Sequence, residues 1–211
     1  MLKLYDCSTA PSPRRARMFL AEKGLAWETV EIDLRSGEQL GDAFLAVNPA
    51  ATVPVLETSD GARITENIGI AAYLEAAHPE PPLMGTTPLE KAEVLSMNSK
   101  VEAGGLMAIA NMLRNSSPHM KGRALPGPKS LEQIPALAER GRMRLGWFFD
   151  MMEAHMDGRD FAVTDRYTLA DITLTVTYDF SKWVKAQPGA DSHPNLARYM
   201  DSMRARPAYS L

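Results

Sequence analysis

The chain has 211 residues, enough for one large domain or two small ones. Hydrophobic residues make up 45% and charged residues 23%, an ordinary globular mixture, and a formal net charge of -3 is too mild to point to nucleic acid or an anionic membrane as a partner. No apolar run approaches the ~20 residues of a membrane span, and the opening MLKLYDC lacks the regions of a secretory signal. One cysteine permits neither an internal disulfide nor a Cys-only metal site, the four histidines show no ligand spacing, and a reducing cytoplasm is the expected compartment.

Leu2–Asp6 alternates apolar and polar positions and predicts a first strand. Turn-forming Cys7–Pro13 leads into a helix over Arg14–Lys23, with Gly24 as its stop. Trp27–Asp33 alternates again, and the resulting β-α-β unit is expected to be parallel. Arg35–Asn48 is a connection with one helical turn around Phe44 and Leu45. Val53–Glu57 is a third strand, and Asp60-Gly61 predicts a hairpin into an antiparallel fourth over Ala62–Ile64. A helix over Asn67–His78 stops at Pro79. Pro79, Pro81, Pro82 and Pro88, together with Gly85, mark a linker.

Beyond the linker no strand pattern returns. Helices are predicted over Leu89–Asn115, Leu131–Met156, Thr168–Trp183 and Pro194–Arg206. The second of these carries Ile134, Leu137, Gly141, Leu145, Phe148 and Met152 on one face. Thr168 and Asp171 have the spacing of a capping box, and Tyr167 with Ile172 that of a hydrophobic staple. The fold class is α+β: a small layered domain over residues 1–79, then an all-α domain over residues 88–211.

Two stretches converge on one kind of site. Asn48–Glu57 (NPAATVPVLE) enters a strand through Val53-Pro54, where proline removes a ladder donor. Composition alone favours a trans bond there, since only about 5–6% of X–Pro bonds are cis; a cis bond would turn the Val53 N–H and C=O outward to pair with a peptide-like ligand. Glu66 and Asn67 stand at a helix start. They read as capping residues, and the same geometry offers free N–H groups to a carboxylate and the Glu66 carboxylate to an ammonium group. Arg14, Arg15 and Arg17 read as a solvated face, with a positive field for an anion as the alternative. Cys7, Ser8, Thr9 and Ser12 precede the first helix. Cys7 reads as a buried residue, with a nucleophilic role as the alternative, and it has no CxxC partner.

These segments together resemble the glutathione S-transferase family over nearly the whole chain. LYDCSTAPSPRRARMFLAEKGL resembles its first strand, loop and helix. NPAATVPVLE resembles its glutathione-site loop, whose proline is cis. TENIGIAAYLE resembles its acidic-residue-plus-serine helix start, with Asn67 where serine is usual. YTLADITL resembles the capping box of its late helix. The resemblance implies a thioredoxin-like N-terminal domain, an all-α helical C-terminal domain, a homodimer, and glutathione as co-substrate. It implies that Val53 and Pro54 hold the cysteinyl part, that Glu66 and Asn67 hold the γ-glutamyl end, and that Gln39 reaches the glycyl carboxylate. The acceptor pocket is expected between the domains, with Met97, Val101 and Met107 on its wall.

TAPSPRR and TPLEK look most like a microbial branch without the usual Tyr, Ser or Cys activating residue. There a serine and a histidine on the long helix hold a water, and those positions fall on Ala110 and Arg114. Tyr5 lies within the first strand. The candidates for activating the thiol are Ser12, Thr9, Arg114 and Asn111, or the first helix's dipole. The implied activity is conjugation of the glutathione thiolate to small, largely apolar electrophiles. The alternatives are a glutathione-fold binding or stress protein with little turnover, and a Cys7-dependent thiol-disulfide enzyme.

Overall fold

The alternation of Leu2–Asp6 builds strand β1 over those residues in the computed structural model, which describes residues 1–211. The remaining elements of the first unit are α1 (Pro11–Glu22), β2 (Trp27–Glu31), the short α2 (Asp42–Leu45), β3 (Val55–Glu57), β4 (Arg63–Thr65) and α3 (Asn67–Ala77). The second unit is helical: α4 (Pro88–Val101), a π turn over Glu102–Leu106, α5 (Met107–Ser116), α6 (Pro135–His155), α7 (Leu169–Phe180) and α8 (Pro194–Arg204). The first unit comprises residues 1–81 with 125–129 and 211, and the second comprises residues 82–124 and 130–210. The thioredoxin-like and all-helical classes both hold.

The first unit is a four-stranded sheet in the order β2-β1-β3-β4. β1 and β2 run parallel, as a helix-connected pair must, while β3 is antiparallel to both β1 and β4. Successive residues of β1 face opposite sides. Tyr5 and its partner Val55 share a face covered by Phe44, whose ring meets Tyr5 edge-on at 6.2 Å. Leu4 and its partner Leu56 turn to the other face; both are fully buried, as are Leu20 of α1 and Leu74 of α3.

Several expectations shift. α1 begins at Pro11 rather than Arg14, because proline suits a helix's first position, where its missing N–H costs nothing. β3 begins at Val55 rather than Val53, since Pro54 cannot donate to the ladder. The arginines of α1 are not a solvated face: Arg15 and Arg17 are buried. Arg17 pairs with the buried Asp6 and donates to the Ser8 carbonyl at 3.0 Å. Burial pushes the Asp6 carboxyl up, and the Arg17 charge opposes that shift.

Lys23 also turns inward. Its fully buried ammonium contacts Glu75 at 2.6 Å and donates to the His78 and Pro81 carbonyls at 2.8 and 2.6 Å. A cation here satisfies carbonyls at the C-terminal end of α3, where the helix dipole favours positive charge.

In the helical unit, α6 buries Gly141, Leu145, Phe148 and Met152 as its stripe predicts, while Ile134 precedes the helix and is exposed. The helical stretch before it is broken by the π turn. There a Cβ on Gly105 would come within 2.5 Å of Thr177 Cγ2, so only glycine lets α7 approach. Asp171, fully buried, closes the α7 cap: one carboxylate oxygen accepts from the Thr168 N–H and hydroxyl, each at 2.9 Å. The other accepts from the Ala162 N–H at 2.7 Å and the Tyr199 hydroxyl at 3.0 Å. Burial raises the Asp171 carboxyl, and these donors pull it back. Asp171→Ala removes the acceptor from four donors and is expected to cost about 3–5 kcal/mol. That lowers the thermal unfolding midpoint by about 10 °C, read by circular dichroism, with Asp171→Asn losing less.

Candidate functional site

The sheet register brings the candidate residues of the first unit to one end. Tyr5, one residue before the end of β1, pairs with Val55, the first residue of β3, so the first loop leaves the sheet at the end where the chain enters β3. Val55 also pairs with Thr65, the last residue of β4, so α3 starts at the same end of the sheet. The first loop, the strand entrance and the start of α3 are therefore neighbours.

Val53-Pro54 is cis. The Val53 N–H and C=O take no part in a backbone hydrogen bond. The preceding turn is held by buried Asn48, whose Nδ2 donates to the Thr52 carbonyl at 2.8 Å and whose Oδ1 accepts from the Ala50 N–H at 3.0 Å. Ala51 within this turn sits at φ 53°, a left-handed conformation that costs a β-carbon about 1–2 kcal/mol.

Glu66 is the N-cap of α3 and has φ 60° and ψ 132°, outside the regions open to an L residue without strain. Its side chain makes no cap bond, and the helix's first internal bond runs from the Ile70 N–H to the Glu66 carbonyl. The N–H groups of Asn67, Ile68 and Gly69 are left for another acceptor. No acidic side chain occupies this first turn, and the Asn67 Oδ1 is enclosed without a partner. An exposed carboxylate beside three free N–H groups suits a zwitterionic amino-acid end: the carboxylate takes the ammonium, the N–H groups take the acid.

Gln39 is buried, with its Oε1 unpartnered. A buried amide with unmet hydrogen-bonding capacity costs about 1–3 kcal/mol and asks for a ligand to complete it.

The first loop ends at α1, and here the prolines matter. Pro11 and Pro13 lack an N–H, and the Arg14 N–H already donates to the Ala10 carbonyl at 3.3 Å. Ser12 supplies the one free backbone donor of the first turn, and its hydroxyl forms no hydrogen bond within the chain. Thr9 is exposed, with its hydroxyl 3.6 Å from the Cys7 sulfur. Cys7 itself is buried at the strand end. Arg17 does not supply a bare positive field, because Asp6 neutralises it. Tyr5 donates to Glu57 at 3.1 Å, and burial followed by Glu57 raises its hydroxyl's pKa.

The other two candidates lie in the helical unit. Arg114 donates to the Arg123 carbonyl at 2.9 Å, and burial, with the Arg123 charge, lowers its pKa. Asn111 and Ala110 lie half-buried on α5. Of the residues expected on an acceptor wall, Met97 and Val101 are buried in the helical core and Met107 is exposed. A cleft of about 660 Å³ in this unit lies between the end of α5, the start of α6 and Trp183. The burial of Arg17 and Lys23 and the turn-spanning role of the Asn48 side chain escaped the sequence reading; a buried cation or amide has no signature until its partner is placed by the fold.

The strained positions yield a test. Glu66→Gly and Ala51→Gly each remove a β-carbon from a positive-φ residue, and each is expected to raise unfolding free energy by about 1 kcal/mol. Glu66→Ala, which keeps the β-carbon, is expected to leave it unchanged; urea denaturation distinguishes the three.

The chain matches known proteins over most of its length. Family models described as glutathione S-transferase N-terminal domain and glutathione S-transferase C-terminal domain match residues 9–77 and 118–207. Glutathione S-transferase 2 of Saccharomyces cerevisiae is 32% identical over 208 residues, covering 97% of this chain and 86% of that protein. A glutathione S-transferase domain-containing protein from Marinobacter aquaeolei superposes with a TM-score of 0.89 at 30% identity, covering 98% and 99% of the two chains. The structure of Gtt2 from Saccharomyces cerevisiae does so with a TM-score of 0.89 at 30% identity, covering 99% and 98%.

Proposed function

Since the chain belongs to the glutathione S-transferase family, enzymes whose co-substrate is glutathione, we propose that it conjugates the glutathione thiolate to small, largely apolar electrophiles. The observation that carries this reading is the unpaired Val53 backbone at the sheet end where α3 opens with free N–H groups. The Val53 N–H and C=O hold the cysteinyl residue as a short added strand. Glu66 takes the γ-glutamyl ammonium, and the first N–H groups of α3, with Asn67, take its carboxylate. Pro54 ends the ladder and keeps that edge free. Gln39, through its amide Nε2, meets the glycyl carboxylate.

When bound, glutathione supplies a sulfur nucleophile that is mostly protonated at neutral pH, so the protein's task is to favour the thiolate. β1 ends beside the start of β3, so the first loop leaves the sheet at the end where Val53 lies. We assign the task to Ser12. Its hydroxyl and N–H donate toward the sulfur at the positive end of α1, lowering the pKa by hydrogen bonding to the charged form. Thr9 borders the same loop. Arg114 and Asn111 take no part in this assignment, because Arg114 is engaged with the Arg123 carbonyl.

The protein acts in the cytoplasm as a homodimer. Met143, Trp147 and Met151 are 52%, 65% and 43% exposed and follow one another at four-residue spacing along α6, an apolar face that suits a second copy. No helix is long and apolar enough to cross a membrane.

Kinetics with glutathione and chlorodinitrobenzene test the roles. Ser12→Ala is expected to lower kcat about 100-fold with little change in the KM for glutathione. Glu66→Gln is expected to raise the KM for glutathione about tenfold with kcat little changed. Glutathione binding without measurable conjugation would overturn the transferase reading in favour of a binding protein.

A further inference from the structure

Leu125–Lys129 lies in the chain between α5 and α6, yet it belongs to the sheet unit. The neck of this excursion is closed in the helical unit: the Leu131 N–H donates to the Gly122 carbonyl at 3.0 Å, the Ala124 N–H donates to the Leu131 carbonyl at 3.3 Å, and Arg114 holds the Arg123 carbonyl. The tip is Pro126-Gly127-Pro128. Gly127 adopts φ 112°, and a Cβ built on it would lie 3.5 Å from the Ala50 carbonyl oxygen. The tip therefore rests against the Asn48–Thr52 turn.

That turn leads directly into Val53. Its internal hydrogen bonds all run to Asn48, which spans it from one end, and Ala51 is strained within it. Two backbone hydrogen bonds to a peptide-like ligand are sensitive to displacement, since their strength falls steeply with angle and distance. A stiff element seated on Ala50 keeps the turn in place. The flanking prolines supply the stiffness, each fixing its own φ and restricting the residue before it. Gly127 supplies a φ that a side-chain-bearing residue adopts only under strain, and atoms beyond a β-carbon there would press on Ala50.

We propose that Leu125–Lys129 is a positioning strap for the glutathione site and that Gly127 is its positioning residue, seating the strap on Ala50 so that the turn presents the Val53 backbone in register. The proposal rests on the reading that Val53 pairs with glutathione. By linkage, a strap that favours glutathione binding is itself held by bound glutathione.

Calorimetric titration with glutathione, and KM values for glutathione and chlorodinitrobenzene, test it on the full-length chain. Gly127→Val is expected to raise the Kd and KM for glutathione about tenfold, leaving the KM for chlorodinitrobenzene unchanged, with only the modest fall in melting midpoint that a strained φ brings. Pro126→Ala/Pro128→Ala, which adds no atoms, should shift the same constants in the same direction and decides the matter if Gly127→Val does not fold. Saturating glutathione should slow tryptic cleavage after Lys129 in the wild type. Unchanged glutathione affinity in the variants overturns the strap, as does a parallel shift of both KM values with the melting midpoint. A wild type that does not bind glutathione overturns the reading of Val53 itself.

Discussion

The site depends on where the sheet's hydrogen-bond ladder stops. β3 is central, paired on both sides, and a central strand ordinarily spends every N–H and C=O on its neighbours. Pro54 breaks that economy because it has no N–H to give. One residue earlier, Val53 keeps its donor and acceptor unspent. Everything else at this end of the sheet is arranged around that edge. The β1 register brings Cys7 and the first loop to one side, and the β4 register brings Glu66 and α3 to the other.

Holding such an edge has consequences elsewhere in the unit. Glu66 sits at a positive φ that the surrounding structure must enforce, and Ala51 does the same in the turn before Val53. The buried Asp6–Arg17 pair ties the end of β1 to α1 and, through the Ser8 carbonyl, to the first loop. Burying the pair carries a desolvation cost that its attraction only partly offsets, so its value lies in fixing geometry rather than in net stability. Ser8 is held from the other side by Glu31, which accepts from its N–H at 2.8 Å and its hydroxyl at 2.9 Å. The loop that carries Thr9 and leads to Ser12 is thus anchored at its base while its tip stays exposed. A rigid base with an open tip is what a group that must meet a substrate atom requires.

Much of this was legible in the residue order because it follows from local rules. Alternation in Leu2–Asp6 and Trp27–Asp33 marks strands, Asp60-Gly61 marks a hairpin, and Thr168 with Asp171 marks a helix start; each is a short-range signal that the fold respects. The residues proposed to hold glutathione stand out for a different reason. Val53-Pro54 puts a proline at the entrance of a central strand and Glu66 takes a positive φ where the chain turns into a helix, and such local violations gather at functional sites. What was not legible depends on long-range partners. Arg15 and Arg17 look like surface charge until the fold places Asp6 beside Arg17. Lys23 looks like a solvated C-terminal residue until Glu75 and the carbonyls of residues 78 and 81 close around it. The π turn needs the packing of α7 on Gly105, and Leu125–Lys129 reads as an ordinary loop because its seat, Ala50, lies far away in sequence.

The account's central claim is that the Val53 backbone is the docking edge for glutathione. Amide hydrogen exchange at Val53, followed by NMR as glutathione is titrated, tests it most directly. The free protein should exchange this N–H rapidly, because nothing in the chain accepts it. Saturating glutathione should slow that exchange at least tenfold, together with the Asn67 and Ile68 amides, as a hydrogen-bonded amide exchanges only on opening. Saturable glutathione binding that leaves the Val53 amide exchanging as before would contradict the claim.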